Sequence, residues 1–290
     1  MRNSKITLLL CFLGICALMV YLLIRIEDSE RKKQAAKVPI DLPYDWIGMI
    51  NKSPIPEPSG VTFHPSRKTI FIADDGGFIH EMRQEGTVVQ KGELNGRDLE
   101  GITVDPTSGW LYAAVEDEEV ILEVNPQTLH IRREFKINRL FEGKSLLPKG
   151  GMGIEAITFV PDTEHPEGGT FWIGNQSFSR KPNGEPSIVC EVVAPLRTSE
   201  ATEAEAIIIR FFEMNLLDIS GLTYDAQADS LLLISDTTNL LVELRRDGTI
   251  LHRYLLPGDD QEGITLDGIG YMYIAQENGQ VIKLADSRLR

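Results

Sequence analysis

The sequence predicts an all-β fold, a five-bladed β-propeller preceded by a single N-terminal transmembrane helix. Three observations predict it: a short acidic-glycine motif that recurs five times, the 40-residue scale of its spacing, and one charge-free run of 19 residues at the start of the chain. The motif reads "EPSGVTF" from Glu57, "DLEGITV" from Asp98, "GIEAITF" from Gly153, "DISGLTY" from Asp218 and "DQEGITL" from Asp260. Its small residues, Gly60, Gly101, Ala156, Gly221 and Gly263, are spaced by 41, 55, 65 and 42 residues. About 40–45 residues is one four-stranded propeller blade, and even the longest interval falls short of the ~82 that two blades need. Five units are therefore expected.

The N-terminal run, 6–24, is just long enough as a helix, at about 1.5 Å per residue, to cross a hydrocarbon core of about 30 Å. A cleaved signal peptide would have a core of about 7–15 residues and a small-x-small site, which does not follow Leu18. A lipoprotein signal would place a small residue before Cys16, where Ile15 stands. The expected organisation is an anchor over 1–25, a charged linker over 26–42 and the propeller over 43–290. Arg2 and Lys5 ahead of the apolar run favour a cytoplasmic N-terminus, although Arg25, Arg31, Lys32, Lys33 and Lys37 oppose it on a plain count. The expectation is a single-pass protein of the inner membrane, its soluble domain facing the periplasm.

Within each unit, apolar runs rich in Ile, Val, Phe and Tyr alternate with Gly, Asp, Asn and Pro turns. The second unit reads as four strands, "GITV", "WLYAAVE", "VILEV" and "HIRREFKI". The fourth repeats this as "GLTY", "LLLISD", "LLVEL" and "ILHRYLL". Only 27 residues follow Gly263, enough for three strands, so the outer strand of the last unit is expected from Tyr44–Ile50, "YDWIGMI". The third unit is lengthened by 178–205, which reads as an insertion that wanders or roofs the channel.

Of 29 basic and 43 acidic residues, 7 and 3 fall in the first 40 positions, leaving 22 and 40 for the rest. Such an excess disfavours nucleic acid as a partner and suits cations or basic surfaces. Cys11 and Cys16 lie in the apolar run and Cys190 is alone, so neither an intradomain disulfide nor a zinc knuckle is available. The sequence has no nucleophile elbow, phosphate loop, zincin helix or EF-hand loop. The five histidines, His64, His80, His130, His165 and His252, fall on turns or outer strands and are expected at the surface.

Stacking the repeats gives two polar columns. Before the small residue stand Ser59, Glu100, Glu155, Ser220 and Glu262; at the end of the second strand stand Asp75, Glu116, Asn175, Asp236 and Glu277. Because the first two strands of a unit are antiparallel neighbours, both columns should meet at one mouth of the channel. Glu100, Glu155, Glu262, Asp75, Glu116, Asp236 and Glu277 are therefore candidate metal ligands. An all-oxygen, irregular set suits Ca²⁺ better than octahedral Mg²⁺. Two readings stay open: the carboxylates share a cation, or they accept backbone amides of a neighbouring unit. The glycines, and the threonines two positions on (Thr62, Thr103, Thr158, Thr223 and Thr265), read as structural.

The runs "PSGVTF", "DLEGITV", "DISGLTYDAQADSLLLISDTTNLLVEL" and "DQEGITLDGIGYMYIAQENG" resemble the SdiA-regulated proteins of bacteria, over about 44–285. The resemblance implies an N-terminal membrane segment and a C-terminal five-bladed propeller, with no activity attached. The third unit departs from the pattern: Ala156 replaces the glycine and "GNQ" the acidic strand end, which sets Asn175 apart from the ligands. More distant similarity to esterase-type and phytase-type propellers implies carboxylates and Ca²⁺ at a channel mouth. Two functions follow as expectations. One is a Ca²⁺-binding module for an unknown small ligand or protein partner; the other is a metal-dependent hydrolase of phosphoesters or lactones, with Glu155 or Glu262 as general base.

Overall fold

A computed structural model describes Met19 and residues 38–147, 153–177 and 186–289. The expected anchor, Met19 apart, and most of the linker lie outside the described residues. Among the described residues no helix is long and apolar enough to cross a membrane.

Two short strands come first, β1 (Ile40–Asp41) and β2 (Tyr44–Met49). The first sheet is β3 (Pro58–His64), β4 (Thr69–Asp74), β5 (Phe78–Arg83) and β6 (Val88–Glu93). The second is β7 (Leu99–Val104), β8 (Leu111–Val115), β9 (Val120–Val124) and β10 (Ile131–Asn138), followed by a small hairpin of β11 (Leu140–Phe141) and β12 (Lys144–Ser145). The third is β13 (Ile154–Pro161), β14 (Gly169–Asn175), β15 (Ser187–Val193) and β16 (Glu203–Met214). The fourth is β17 (Ile219–Asp225), β18 (Ser230–Ser235), β19 (Leu240–Leu244) and β20 (Ile250–Leu255), and the fifth begins with β21 (Gln261–Leu266), β22 (Tyr271–Gln276) and β23 (Gln280–Asp286). Within each set, strands consecutive in sequence pair antiparallel, and β10 and β16 join the second and third sets into one eight-stranded sheet. β2 supplies the outer strand of the fifth, Tyr44 lying opposite Asp286 and Met49 opposite Ile282.

The innermost strands touch in a closed cycle, β3 to β7, β13, β17, β21 and back to β3. That ring makes the molecule a β-propeller. Its core is divided among the gaps between sheets. Phe71 and Ile79 pack on Leu99 and Leu122 between the first and second, and Ile72 and Met82 pack on Tyr273 and Val281 where the fifth returns to the first. Because each sheet is covered on both faces, second strands such as "LYAAV" and "SLLLIS" are buried along their whole length.

Several details depart from the sequence reading. Residues 187–193, read as part of an insertion, are the third strand of the third sheet, and β16 runs on to pair in parallel with β10 at Glu203–Ile207. The end of the expected linker is structured, since Ile40 pairs with Tyr254. His64 and His80 are not surface residues: both are buried, His64 against the Gly109 carbonyl at 3.0 Å and His80 against Asp74 at 2.7 Å. The third strands also carry buried, answered glutamates. Glu81 takes Arg67, Thr69 and Gln90, and Glu123 takes Arg133 and Tyr112.

Candidate metal centre at the acidic channel mouth

Every innermost strand carries a β-bulge at the same place. The register shifts between Pro58 and Gly60, Leu99 and Gly101, Ile154 and Ala156, Ile219 and Gly221, and Gln261 and Gly263. The extra residue is in each case the member of the first polar column, and a bulge re-aims the residue it leaves unpaired. The small residue beside it lets adjacent strands touch: a Cβ on Gly60 would lie 2.8 Å from the Ile102 amide nitrogen.

The two serines of this column tie sheets together. The Ser59 hydroxyl donates to the Leu99 carbonyl, and that of Ser220 to the Gln261 carbonyl at 2.7 Å. Glu100, Glu155 and Glu262 have no such carbonyl to serve. The second column is fixed by the backbone: the amides of Asp75, Glu116, Asp236 and Glu277 donate to the carbonyls of Glu57, Asp98, Asp218 and Asp260 at 3.2, 3.3, 3.1 and 2.9 Å. The end of each second strand is thereby pinned to the start of the first.

This pinning also brings a third acidic column to the mouth, the four residues whose carbonyls accept. Among them is Asp98, which the sequence reading did not single out. Asp75, Asp98 and Glu100 each offer a carboxylate oxygen, and the three atoms lie within 4.8 Å of one another. Glu100 is hydrogen-bonded to Asp98 on one side and Glu155 on the other, and Glu155 reaches Glu116. Glu116 also accepts the Gly153 amide at 3.3 Å.

The remaining three predicted ligands stand on the fourth and fifth sheets. Asp236 accepts the Gln261 amide at 2.9 Å, Glu262 is partly buried, and Glu277 is exposed. Asp218 accepts the Thr237 amide and hydroxyl at 3.1 and 2.6 Å. Asn175 is structural: its Oδ1 accepts the Ile188 amide at 2.7 Å.

Crowding of like charge in a half-dry mouth shows in the carboxyls. Burial, then repulsion from Asp98, Glu57 and Glu277, pushes Asp75 up to about 6. Burial, then Asp236, Asp218 and Glu277, pushes Glu262 up to about 8. Burial, then repulsion from Asp75, Asp98 and Glu116, moves the partly buried Glu100 well above the carboxylate range, and burial with repulsion from Glu100 does the same to the buried Glu155. Asp98 and Asp236 rise through burial. Arg97, which lines the mouth beside Asp75 and Asp98, is engaged by Glu134 at 2.9 Å and Glu118 at 3.7 Å. Among the described residues the arrangement is a set of oxygen donors without a matching positive charge, a chemistry that suits a hard cation.

The profile of the SdiA-regulated family matches residues 50–285. No curated protein matches the sequence. Among solved structures, the β-propeller domain of Cps50 (Swd1) from Myceliophteria thermophila aligns at TM-score 0.48 and 10% identity, covering 83% of this chain and 99% of that one. Glutaminyl cyclase from Myxococcus xanthus aligns at TM-score 0.56 and 11% identity, covering 85% and 97%. At such identity the likeness to the cyclase is one of fold alone. With the family profile spanning nearly all of the ring, the chain belongs to the SdiA-regulated family.

Proposed function

We propose that the protein is a five-bladed, membrane-tethered propeller in the periplasm whose acidic mouth binds Ca²⁺ and presents that face to a ligand or protein partner. The observation that carries the reading is the convergence of Asp75, Asp98 and Glu100, with Glu155 and Glu116 joined behind them by hydrogen bonds. Carboxyls held protonated for want of a counter-charge are groups that a divalent ion would ionise. The first three offer direct ligands, and Glu155 behind them, raised well above the carboxylate range by burial and by Glu100, can release its proton in response to the ion. Residues 6–24 support the tether by their length and lack of charge.

A second reading, a metal-dependent hydrolase, is supported by Glu262, a partly buried carboxyl pushed up to about 8 and so placed to move a proton near neutral pH. Against it stands the composition of the mouth, which among the described residues brings no Lys or His among these carboxylates to meet charge developing on a substrate.

Metal analysis and calorimetric titration of the purified full-length protein with Ca²⁺ and then Mg²⁺ test the first reading. Saturable Ca²⁺ binding, weakened at least tenfold by Asp98→Asn and by Glu100→Gln, is expected. No bound metal and no heat with either ion would refute it. Metal-dependent turnover of phosphoesters or lactones, lost in Glu262→Gln, would instead establish the hydrolase.

A further inference from the structure

We infer that the other end of the channel is a second and separate binding site, one for a compact organic cation with an apolar body. The waist between the two ends, bounded by Glu155, Glu262 and the small residues of the ring, holds only about 10 Å³, no more than the space of one water. Beyond it, at the ends of the innermost strands, opens a pocket of about 280 Å³, at the small end of the range for ligand sites. Two mouths so divided bind independently.

The five column threonines lie at the base of this pocket. Three of them are already committed, since Thr265, Thr103 and Thr158 accept the amides of Phe63, Phe159 and Tyr224 at 3.0 Å each. The walls are apolar and aromatic, with Pro65, Pro106, Phe159, Leu266, Tyr224 and Tyr271. They would hold a hydrocarbon body or a ring.

The charge of the pocket is what selects the ligand. Asp225, Asp267, Asp286 and Arg288 line it. Arg288 is spent on Asp286, with Nε 2.9 Å from Oδ1 and Nη2 2.7 Å from Oδ2. Asp225 serves only backbone amides, those of Gln227 and Ala228. Asp267 is 8% exposed; its Oδ1 accepts the amides of Ile269 and Tyr271 at 2.9 Å each, and its Oδ2 is buried with no hydrogen-bond partner. A buried carboxylate oxygen without a donor calls for one from outside the chain. Lys283 does not supply it: its ammonium lies over the Tyr271 ring, 4.0 Å from the centroid, and forms no ion pair with Asp267. An ammonium or amidinium group would complete Asp267 through a charge-assisted hydrogen bond, while its apolar part fills the walls.

The test uses purified full-length protein in excess Ca²⁺, which occupies the acidic mouth, and three probes of one shape: phenethylammonium, neutral 2-phenylethanol and anionic phenylacetate. Ligand-detected NMR titration should show the ammonium binding at least tenfold more tightly than the alcohol, and the anion not at all. Asp267→Asn keeps the Oδ1 acceptor for both amides and should cost the ammonium about tenfold while leaving the alcohol unchanged. Ala226→Trp, a change at an exposed residue of the rim, should block both, and Glu262→Gln should alter neither. Equal binding of ammonium and alcohol, no binding of the ammonium, or full affinity in Asp267→Asn would overturn the inference.

Discussion

Raising the pH should destabilise the metal-free protein, and Ca²⁺ should reverse the loss. Glu262 ionises near 4.5 in an unfolded chain but is pushed up to about 8 in the fold. A carboxyl raised in this way contributes stability that is complete below its unfolded value and lost as pH climbs through the folded one, because the folded state binds more protons in that window. Each pH unit in the window is worth about 1.4 kcal/mol for one group. His64, lowered from 6.5 by burial, works in the opposite direction, but only below 6.5. The carboxylates held low by their partners, such as Glu81 and Asp286, act only in acid. The clean interval is therefore from about pH 7 to about pH 8.5, where Glu262 alone should cost about 1.3 kcal/mol, a drop of about 3–5 °C in Tm for a fold of this size, and Glu100 and Glu155 add to the loss in the same direction. Melting curves of the full-length protein in EDTA at several pH values give the slope directly. A cation needs the carboxylates ionised, so the gap between Ca²⁺ and EDTA curves should widen over the same interval, and Glu262→Gln should flatten the EDTA slope. An EDTA Tm that is constant or rises from about pH 7 to about pH 8.5 would refute the reasoning.

Three further outcomes are expected. Gly263→Ala would set a methyl 2.7 Å from the Val61 amide nitrogen and 2.9 Å from the Gly60 Cα, so chemical denaturation should report a loss of about 1–3 kcal/mol, against about 1 kcal/mol or less for Ala156→Gly, where the ring already admits a methyl. Arg133→Ala strips Glu123, 1% exposed, of both 2.7 Å bonds and should cost about 3–5 kcal/mol by the same measurement; Arg133→Met with Glu123→Leu should recover most of it. Thr158→Val orphans the Tyr224 amide and should cost about 1–3 kcal/mol, whereas Thr158→Ser should be close to neutral.

The repeat was legible because the same physical demand, a small residue beside a bulge on a tight ring, is met in every unit by similar residues. The pairing of Tyr44–Met49 with β23 was legible from chain length alone. Asp98 was missed although its letter opens "DLEG", because its place at the mouth depends on a carbonyl bond from Glu116, and no sequence pattern reports a carbonyl. His64, His80, Glu81 and Glu123 were misjudged or passed over for another reason. Strand alternation distinguishes inside from outside only when one face meets water, and in stacked sheets both faces are interior. For Thr103, Thr158 and Thr265 the structural role comes from the amide each accepts from the next sheet rather than from strand preference.

The pairing of β2 with β23 also sets the order in which the protein can be made. Asn51 bonds both the Gly279 carbonyl and the Val281 amide, so the ring is locked by residues about as far apart in the chain as the fold allows. Synthesis proceeds from the N-terminus, so β2, with Trp46, Ile47 and Met49 exposed, waits without a partner until β23 has left the ribosome. Closing so long a loop adds entropy cost and slows the final step. A chain interrupted before Gln280 would keep four complete sheets and two open strand edges, a species that pairs with its neighbours instead of with itself.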